Sequence, residues 1–276
     1  MTEPFLTVEN LTIDYATKAG PFRAVDDVSF SVARGSTLAV VGESGCGKST
    51  IAKAVMRLLQ PTTGRIVLDG TDLVPLNDAK LRPLRKRLQM VFQDPYGSLD
   101  PHLSAEDIVT EPLKIQGVRS AAERNAEARR LFDRVGLPES SLERRANEFS
   151  GGQRQRIGIA RALASKPDLL VCDEATSALD VSVQAQVLEL LHEIQRDTGI
   201  TYVFISHNLG VVKEISDEIV VMRQGRIVEA GTTADVLATP REDYTRRLRR
   251  AALDPATMQG VKPRHLVSSL ALKTPA

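Results

Sequence analysis

The sequence has few cysteines, no long apolar run and almost no net charge, and each of these shortages excludes a class of protein. Two cysteines in 276 residues do not make a disulfide framework, so we expect a reducing, cytoplasmic environment. No apolar run approaches the roughly 18 to 20 residues that span a bilayer. The first residues, MTEPFLTVEN, lack the basic and apolar regions of a signal peptide, so we expect none. A formal net charge of +1 gives no general attraction to nucleic acid or to an anionic membrane.

The remaining composition, 42% hydrophobic and 26% charged residues, is typical of a soluble globular protein. Apolar and polar residues alternate in FLTVENLTIDYA, with one slip near Asn10, which predicts a strand. TLAVVG is a short continuous apolar run, typical of a strand buried on both faces. DLLVCDE also predicts a buried strand, and TYVFIS predicts a strand. Helical patterns separate them, and one should run from Lys48 to about Leu59. The sequence therefore predicts parallel βαβ units and an α/β fold.

The middle of the chain, residues 104 to 147, is rich in Ala, Glu and Arg and has few β-branched runs. Capping-box patterns begin at Ser104 and at Ser120. We expect a helix from Ser120 to Val135, with Gly136 just past its end. This segment is interpreted as a helical insertion in an otherwise α/β chain.

The predicted domain covers residues 5–240, with the helical insertion at about 96–154. Near its end, EIVVMRQGRIVEAG predicts a hairpin that turns near Gln224 and Gly225. Residues 241–276 are expected to be a C-terminal extension with a short helix and a loosely held tail.

A phosphate-binding loop is the clearest motif. Gly42, four further residues, then Gly47, Lys48 and Ser49 fit the pattern, after a buried strand and before a helix. The glycines let backbone N–H groups turn toward phosphate oxygens, and the helix N-terminus adds its positive end. Lys48 would reach the β- and γ-phosphates, and the Ser49 hydroxyl would bind Mg²⁺. The residues expected around the nucleotide are Gly42, Glu43, Ser44, Gly45, Cys46, Gly47, Lys48, Ser49 and Thr50.

Polar side chains follow three of the predicted strands. Asp173 and Glu174 end DLLVCDE; Asp173 would hold Mg²⁺ through water, and Glu174 would orient or deprotonate the attacking water. His207, after TYVFIS, lies where a sensor of the γ-phosphate is expected. Gln93, after LQMVF, would bind Mg²⁺ or water and report occupancy to a neighbouring lobe. Alone, His207 would be read as structural and Gln93 as a surface amide; the phosphate loop favours the functional interpretation.

A glycine pair follows Ser150 in FSGGQ. Ser150 can cap a helix that begins near Gly151, which leaves the N–H groups of Gly151 and Gly152 open to an anion. If the fold places this helix start at the far end of the helical lobe, it cannot reach its own ATP. It could then reach the ATP of a second subunit packed head to tail.

Together these motifs resemble those of the ATP-binding subunits of ABC transporters, over about Phe5 to Thr239. In chain order the motifs are a Walker A loop (Gly42 to Thr50), a Q-loop glutamine (Gln93), a signature FSGGQ (Phe149 to Gln153), Walker B with its glutamate (Asp173, Glu174), a D-loop SALD (Ser177 to Asp180) and a switch histidine (His207). The signature of the family usually starts with Leu, and Phe149 keeps an apolar residue there.

The resemblance implies a P-loop NTPase (RecA-like) α/β core with an N-terminal antiparallel β-subdomain and an inserted α-helical subdomain. It implies ATP and Mg²⁺ as ligands, with Tyr15 stacked on the adenine. It also implies a sandwich dimer in which the signature of one subunit closes over the γ-phosphate bound by the other. The signature residues expected to act in trans are Ser150, Gly151, Gly152 and Gln153.

A narrower resemblance is to the dipeptide, oligopeptide and nickel importers. VFQDPYGSLDP, from Val91 to Pro101, is similar to a stretch that adjoins, in that subfamily, the surface for the coupling helices of the membrane subunits. DYT, from Asp243 to Thr245, resembles a PYT element, with Asp243 in place of Pro. Some members bind an iron–sulfur cluster through C-terminal cysteines; no cysteine follows Cys172, so none is expected here.

The function implied is that of the ATP-hydrolysing subunit of an importer, with di- or oligopeptides as the expected solute and nickel or another small solute as the alternative. Closure of the dimer on ATP would drive the permease between its two facings, and hydrolysis would reopen it. A soluble, non-transport ABC ATPase that acts on nucleic acid is the alternative class. A single nucleotide domain, a short helical lobe and the lack of a basic stripe favour the transporter.

The expected partners follow from the same resemblance. They are a second ABC ATPase subunit, identical or related, two transmembrane permease subunits that contact the region from Gln93 to Pro101, and, indirectly, an extracytoplasmic solute-binding protein. Nucleic acid is not among them. The expected location is the cytoplasmic face of the inner membrane, as a peripheral subunit.

Two further expectations concern reactivity and charge. N–H dipoles and Lys48 near Cys46 are expected to lower the pKa of its thiol, so that alkylation inhibits hydrolysis and bound ATP protects. Four arginines near the C-terminus are interpreted as a solvated helix face, with contact to lipid headgroups or a partner subunit as the alternative. They are Arg246, Arg247, Arg249 and Arg250.

Overall fold

A computed structural model describes residues 4–18, 20–94 and 96–253. The strands are β1 (Leu6–Thr17), β2 (Gly20–Val32), β3 (Thr37–Gly42), β4 (Thr63–Leu68), β5 (Thr71–Asp72), β6 (Leu88–Val91), β7 (Leu169–Asp173), β8 (Thr201–Ser206), β9 (Glu218–Arg223) and β10 (Arg226–Thr232). The helices are α1 (Lys48–Val55), α2 (Asp78–Leu81), α3 (Ala105–Ile115), α4 (Ala121–Arg134), α5 (Gly151–Leu163), α6 (Val181–Thr198), α7 (Leu209–Ile215), α8 (Thr233–Ala238) and α9 (Asp243–Leu253). None of these helices is both long and apolar enough to cross a membrane.

The chain divides into two compact units. The first consists of the described residues up to Val74 and from Val203 onward, and the second is Pro75–Tyr202. The predicted insertion at 96–154 lies within the second unit, which is longer than that insertion. The domain boundaries given by the sequence stay a prediction, and the predicted loose tail, at 254–276, lies outside the described residues.

An antiparallel sheet in the first unit has the strand order β2-β1-β4-β5. The pairing of β1 with β2 shifts register between Val8 and Leu11. Asn10, inside that shift, has a φ of 48°, the left-handed conformation that Asn tolerates better than most residues. The slip predicted near Asn10 is therefore confirmed as a bulge.

A second sheet of the first unit runs in the order β10-β9-β3-β8. All six residues of β3 are buried, and β3 pairs in parallel with β9, as the continuous apolar run predicts. The predicted hairpin is β9–β10; Gln224 and Gly225 form its turn with φ values of 49° and 82°. These two positive φ values are those of a type I′ turn, which matches the twist of paired strands.

Helix α1 ends at Val55, earlier than the predicted end near Leu59. Arg57 adopts a φ of 51°, which stops the helix. Its guanidinium donates to the carbonyl oxygens of Leu73 at 2.8 Å and Val74 at 3.1 Å. These tertiary hydrogen bonds outweigh the local helical preference that the sequence pattern measures.

In the second unit, β6 and β7 pair in parallel, and α5 packs against α3 and α4. The two predicted capping residues cap their helices: Ser104 accepts from the N–H of Asp107 at 3.0 Å, and Ser120 from that of Glu123 at 3.2 Å. Helix α4 covers the predicted span to within one residue at each end. Gly136 follows with a φ of 66°, a conformation typical of a helix C-terminus.

The short helix predicted in the C-terminal extension is α9. One face of α9 is buried through Tyr244, Thr245, Leu248 and Ala251. The side chains of Arg246, Arg249 and Arg250 are exposed and that of Arg247 is half-buried. The Arg249 guanidinium donates to the carbonyl of Ala238 at 3.1 Å. This arrangement supports the solvated face; contact with lipid or a partner is untested.

Candidate nucleotide-binding site

The loop between β3 and α1 contains the predicted phosphate-binding residues. Gly47 is the N-cap of α1 and has a φ of 107°. A Cβ atom at Gly47 would lie 2.5 Å from the carbonyl oxygen of Ala24, so only glycine fits both the conformation and the space. The backbone of the loop thus passes close against the β2 strand.

Lys48 is 4% exposed, and its ammonium lies inside the loop. Nζ donates to the carbonyl oxygens of Gly42 and Glu43, both at 2.8 Å. A buried ammonium needs such partners, since its desolvation is otherwise costly. The loop therefore holds a positive charge beside its own backbone.

Two contacts from distant parts of the chain support the loop from outside. The N–H of Gly225, in the β9–β10 turn, donates to the carbonyl of Cys46 at 3.0 Å. The N–H of Glu43 donates to the hydroxyl of Tyr244 in α9 at 3.2 Å, across 201 positions of sequence. Sequence reasoning missed both contacts, because no local pattern marks residues that meet only in the folded chain.

Tyr15 and His207 lie in the same unit as the loop. The Tyr15 hydroxyl is 3.4 Å from the hydroxyl of Thr50, so the structure brings this half-buried tyrosine to the end of the loop. His207 directly follows β8 and is exposed. Asn208 after it caps α7, since its side-chain oxygen accepts from the N–H of Gly210 at 2.9 Å.

Cys46 differs from its predicted chemistry. The residue is 6% exposed, and burial raises the pKa of its thiol above the usual range. Lys48, whose Nζ is 3.9 Å from Sγ, lowers the pKa by less than burial raises it. The predicted lowering of the pKa is therefore wrong, because desolvation of a thiolate here exceeds its attraction to the ammonium.

The acidic pair lies at the end of β7 in the second unit. Asp173 is 7% exposed, and Glu174, half-buried, has a φ of 48°. A non-glycine residue in this conformation costs about 1–3 kcal/mol and is often found at functional sites. The carbonyl of Glu174 accepts from the N–H and the hydroxyl of Ser177, at 3.0 Å and 2.9 Å. These hydrogen bonds hold the turn that begins at Glu174, directly after β7.

Gln93 reaches the candidate base directly. Its side-chain N–H₂ donates to Oε2 of Glu174 at 3.1 Å. Gln93 follows the end of β6, which pairs with β7, so the two side chains start from neighbouring strand ends. The structure thus brings together two of the predicted catalytic residues, which are 81 positions apart.

The signature motif forms the start of α5. The Ser150 hydroxyl accepts from the N–H of Gln153 at 3.3 Å, and the Gln153 side chain accepts from the N–H of Ser150 at 3.0 Å. This is the reciprocal capping box. A Cβ atom at Gly152 would lie 2.4 Å from Cγ1 of Val183, so glycine also permits the start of α5 to pack closely on the start of α6.

Tyr96 and Arg154 form a further contact at this helix start. The Arg154 guanidinium lies 4.1 Å from the centroid of the Tyr96 ring, and it also donates to the carbonyls of Phe149 and Asn147, both at 3.0 Å. The Tyr96 ring thus lies beside the signature. Sequence reasoning included Tyr96 only within the VFQDPYGSLDP stretch, of which Pro95 lies outside the described residues.

The comparisons with known proteins agree with this geometry. The sequence profile of the ABC transporter family matches residues 25–177. A "Probable peptide ABC transporter ATP-binding protein" of Sinorhizobium fredii is 51% identical over 91% of this chain and 73% of its own length. The oligopeptide transport ATP-binding protein AppF of Bacillus subtilis is 45% identical over 95% of this chain and 80% of its own.

Among solved structures, a dimeric ATP-binding cassette, MJ0796, in a post-hydrolysis state with ADP and Pi, is similar with a TM-score of 0.76 and 29% identity. The likeness covers 83% of this chain and 98% of that one. The chain therefore belongs to the ABC transporter family, and it is an ABC ATPase. The predicted α/β fold class and the predicted enzyme class are both confirmed.

Proposed function

We propose that this ABC ATPase energises the import of di- or oligopeptides. The observation that carries the proposal is the similarity, over nine-tenths of the chain or more, to ATP-binding proteins named for peptide transport. Such high coverage leaves little of the chain for an unrelated role. The transported solute itself would be recognised by the membrane subunits and by a solute-binding protein outside the cell.

ATP would be bound by the phosphate loop, with Tyr15 stacked on the adenine. The buried Lys48 ammonium supports this assignment, because it offers a fixed positive charge to the β- and γ-phosphates. The predicted ligands of Mg²⁺, the Ser49 hydroxyl, the Asp173 carboxylate and the Gln93 amide oxygen, are hard oxygen donors of the kind that Mg²⁺ prefers. The ion would neutralise charge on the phosphates.

Glu174 is the proposed general base. Its carboxylate would accept a proton from water as the water oxygen attacks the γ-phosphorus and the bond from this phosphorus to the bridging oxygen breaks, which releases ADP and phosphate. His207 would contact the γ-phosphate. The hydrogen bond from Gln93, at 3.1 Å, supports the assignment, since it holds the carboxylate in one orientation. A general base must first lie within hydrogen-bonding distance of the proton that it accepts, and only then does its pKa determine the rate.

The partners are assigned on the same footing. Residues 150–153 of one subunit would close over the γ-phosphate in a second ATPase subunit, and the segment from Gln93 to Pro101 would receive the coupling helices of two permease subunits. Gln93 belongs to this segment and also contacts Glu174, so a shift of the segment would change the position of the Glu174 carboxylate. The subunit would work at the cytoplasmic face of the membrane.

The test is uptake in the native host after deletion of the gene. Uptake of labelled di- and oligopeptides should be lost, restored by the wild-type chain and not restored by Glu174→Gln. The amide cannot accept the proton of water, and loss of a general base costs about 10²- to 10⁴-fold in rate. The ATPase rate of purified Glu174→Gln should be lower than that of the purified wild-type chain by about the same factor.

The controls separate the solute from the catalytic assignment. Nickel uptake is measured in the same strains, and loss of nickel uptake with normal peptide uptake would contradict the peptide assignment. Near-normal ATP turnover by Glu174→Gln would show that another residue is the base. Normal uptake of every solute after deletion would favour a role outside transport.

A further inference from the structure

The C-terminal helix α9 reaches the phosphate loop through one side chain. The hydroxyl of Tyr244 accepts the N–H of Glu43, the second residue of the loop, at 3.2 Å. Tyr244 is 5% exposed, so the acceptor of this hydrogen bond is a buried side chain, although Glu43 itself is exposed. A hydrogen bond of this kind contributes modestly to stability, and the contact therefore favours one position of Glu43.

The Tyr244 ring is itself held in place. It packs in a buried cluster with Ala39 and Val41 of β3 and with Leu248 of α9, and the Arg223 guanidinium lies 5.2 Å from its centroid. Val41 in this cluster and Glu43, which the hydroxyl contacts, are two positions apart, because β3 leads directly into the loop. The hydroxyl thus has a fixed position relative to the strand that precedes the loop.

Both backbone polar groups of Glu43, its N–H and its carbonyl, are hydrogen-bonded. Its N–H is bound by Tyr244, while its carbonyl accepts from Lys48 Nζ at 2.8 Å and from the N–H of Cys46 at 3.3 Å. The carbonyl contact also fixes the ammonium that is expected to reach the phosphates. A displacement of Glu43 would therefore move the Lys48 charge as well as the loop backbone.

We propose that Tyr244 is a positioning residue for nucleotide binding, which acts through Glu43 to preorganise the phosphate loop. The C-terminal extension then contributes to the affinity for ATP without touching the nucleotide. The proposal rests on ATP binding by this ABC ATPase and not on the transported solute, so the uptake experiment does not decide it.

The hydroxyl acts as a neutral acceptor. Burial raises the pKa of Tyr244 to about 12, and this exceeds the opposing effect of the Glu43 N–H. The group therefore keeps its proton throughout the roughly pH 6 to 9 range in which such enzymes are assayed. Any effect of removing the hydroxyl should be the same across that range.

The test is Tyr244→Phe in the full-length chain, which removes one oxygen and keeps the ring. Calorimetry should give a Kd for Mg·ATP raised about 3- to 10-fold, the effect of one hydrogen bond. KM for ATP should rise in parallel, while kcat at saturating ATP changes less than about twofold, because the bound loop regains its shape. Hydrogen exchange at the Glu43 amide should become faster.

The matched control is Tyr202→Phe. Tyr202 is fully buried, and its hydroxyl donates to the carbonyl of Leu191 at 2.9 Å in the second unit. This variant should lower the melting temperature and leave the Kd for Mg·ATP unchanged. An unchanged Kd in Tyr244→Phe, or an equal rise in Tyr202→Phe, would overturn the positioning role.

Discussion

At the scale of single residues, the thiol in the phosphate loop shows how burial decides reactivity. Cys46 lies among N–H groups and beside an ammonium, surroundings that usually favour a thiolate. Its burial nevertheless raises the pKa, so the thiol keeps its proton at neutral pH. A motif position therefore does not define the chemistry of a side chain until its exposure is known.

We expect Cys46 to react slowly with a disulfide reagent such as DTNB. The second cysteine, Cys172, is also buried and has a pKa raised to about 12, so a Cys172→Ala variant isolates Cys46. At pH 7 its reaction should be about 10-fold slower, or more, in the folded than in the unfolded chain. The rate should keep rising up to about pH 9, because the folded thiol ionises only at higher pH.

The matched variant is Cys46→Ala in a chain that keeps Cys172. The reaction assigned to Cys46 should then disappear, and only the reaction of Cys172 should remain. Mg·ATP should slow the reaction of Cys46 further if the nucleotide covers the loop. A fast reaction at pH 7 whose rate no longer increases at higher pH would contradict the raised pKa of Cys46 and support a lowered one.

At the scale of elements, α9 is attached through a carboxylate. Glu229 in β10 is 9% exposed and accepts from the N–H groups of Arg241 at 2.7 Å and Glu242 at 3.2 Å. These two N–H groups directly precede α9. The carboxylate thus joins the edge of the sheet to the start of the helix that carries Tyr244.

We expect Glu229→Gln to lower the free energy of unfolding by about 1.5–3 kcal/mol at pH 7, the range for hydrogen bonds to a charged group. Burial raises the pKa of Glu229, but hydrogen bonds, including those from Arg241 and Glu242, outweigh burial and lower the pKa below its usual value. Because the pKa of Glu229 is lower in the folded than in the unfolded chain, its ionised carboxylate stabilises the protein fully at pH values above the unfolded pKa. That stabilisation is lost as the pH falls through the folded pKa.

The measurement is urea unfolding of both proteins from pH 7 down to about pH 3.5. The difference between wild type and Glu229→Gln should shrink on acidification. Glu242→Gln removes an exposed carboxylate from the same segment and should behave like the wild type. A difference that stays constant with pH would show that the charge of Glu229 does not stabilise this attachment.

At the scale of the whole molecule, the sequence predicts those structural features that depend on residues close together along the chain. The phosphate loop, the caps at Ser104 and Ser120 and the bulge at Asn10 are local, because spacing and residue type determine them. The end of α1, the packing of Gly152 on Val183 and the support of Glu43 by Tyr244 depend on residues that meet only after folding. The raised pKa of Cys46 belongs to the same group, since burial is a property of the folded chain.

The last prediction concerns the assembly. The chain carries a phosphate loop and, in α5, a signature whose Ser150 side chain is engaged with its own helix in a capping box. We expect Glu174→Gln, which should bind ATP without turnover, to change from a monomer of 30.1 kDa to a dimer on addition of Mg·ATP. The N–H groups at the start of α5 would complete the site of the second copy. Light scattering with and without Mg·ATP measures the change.

The control adds Ser150→Arg to Glu174→Gln, which places a bulky cation at the contact. Nucleotide binding by the monomer should persist, whereas the dimer should not form. A dimer in the double variant would show that the signature does not close over the partner's nucleotide. A Glu174→Gln protein that binds ATP and remains a monomer would mean that its partner is a different ATPase subunit, because one chain would then lack the complementary surface for itself.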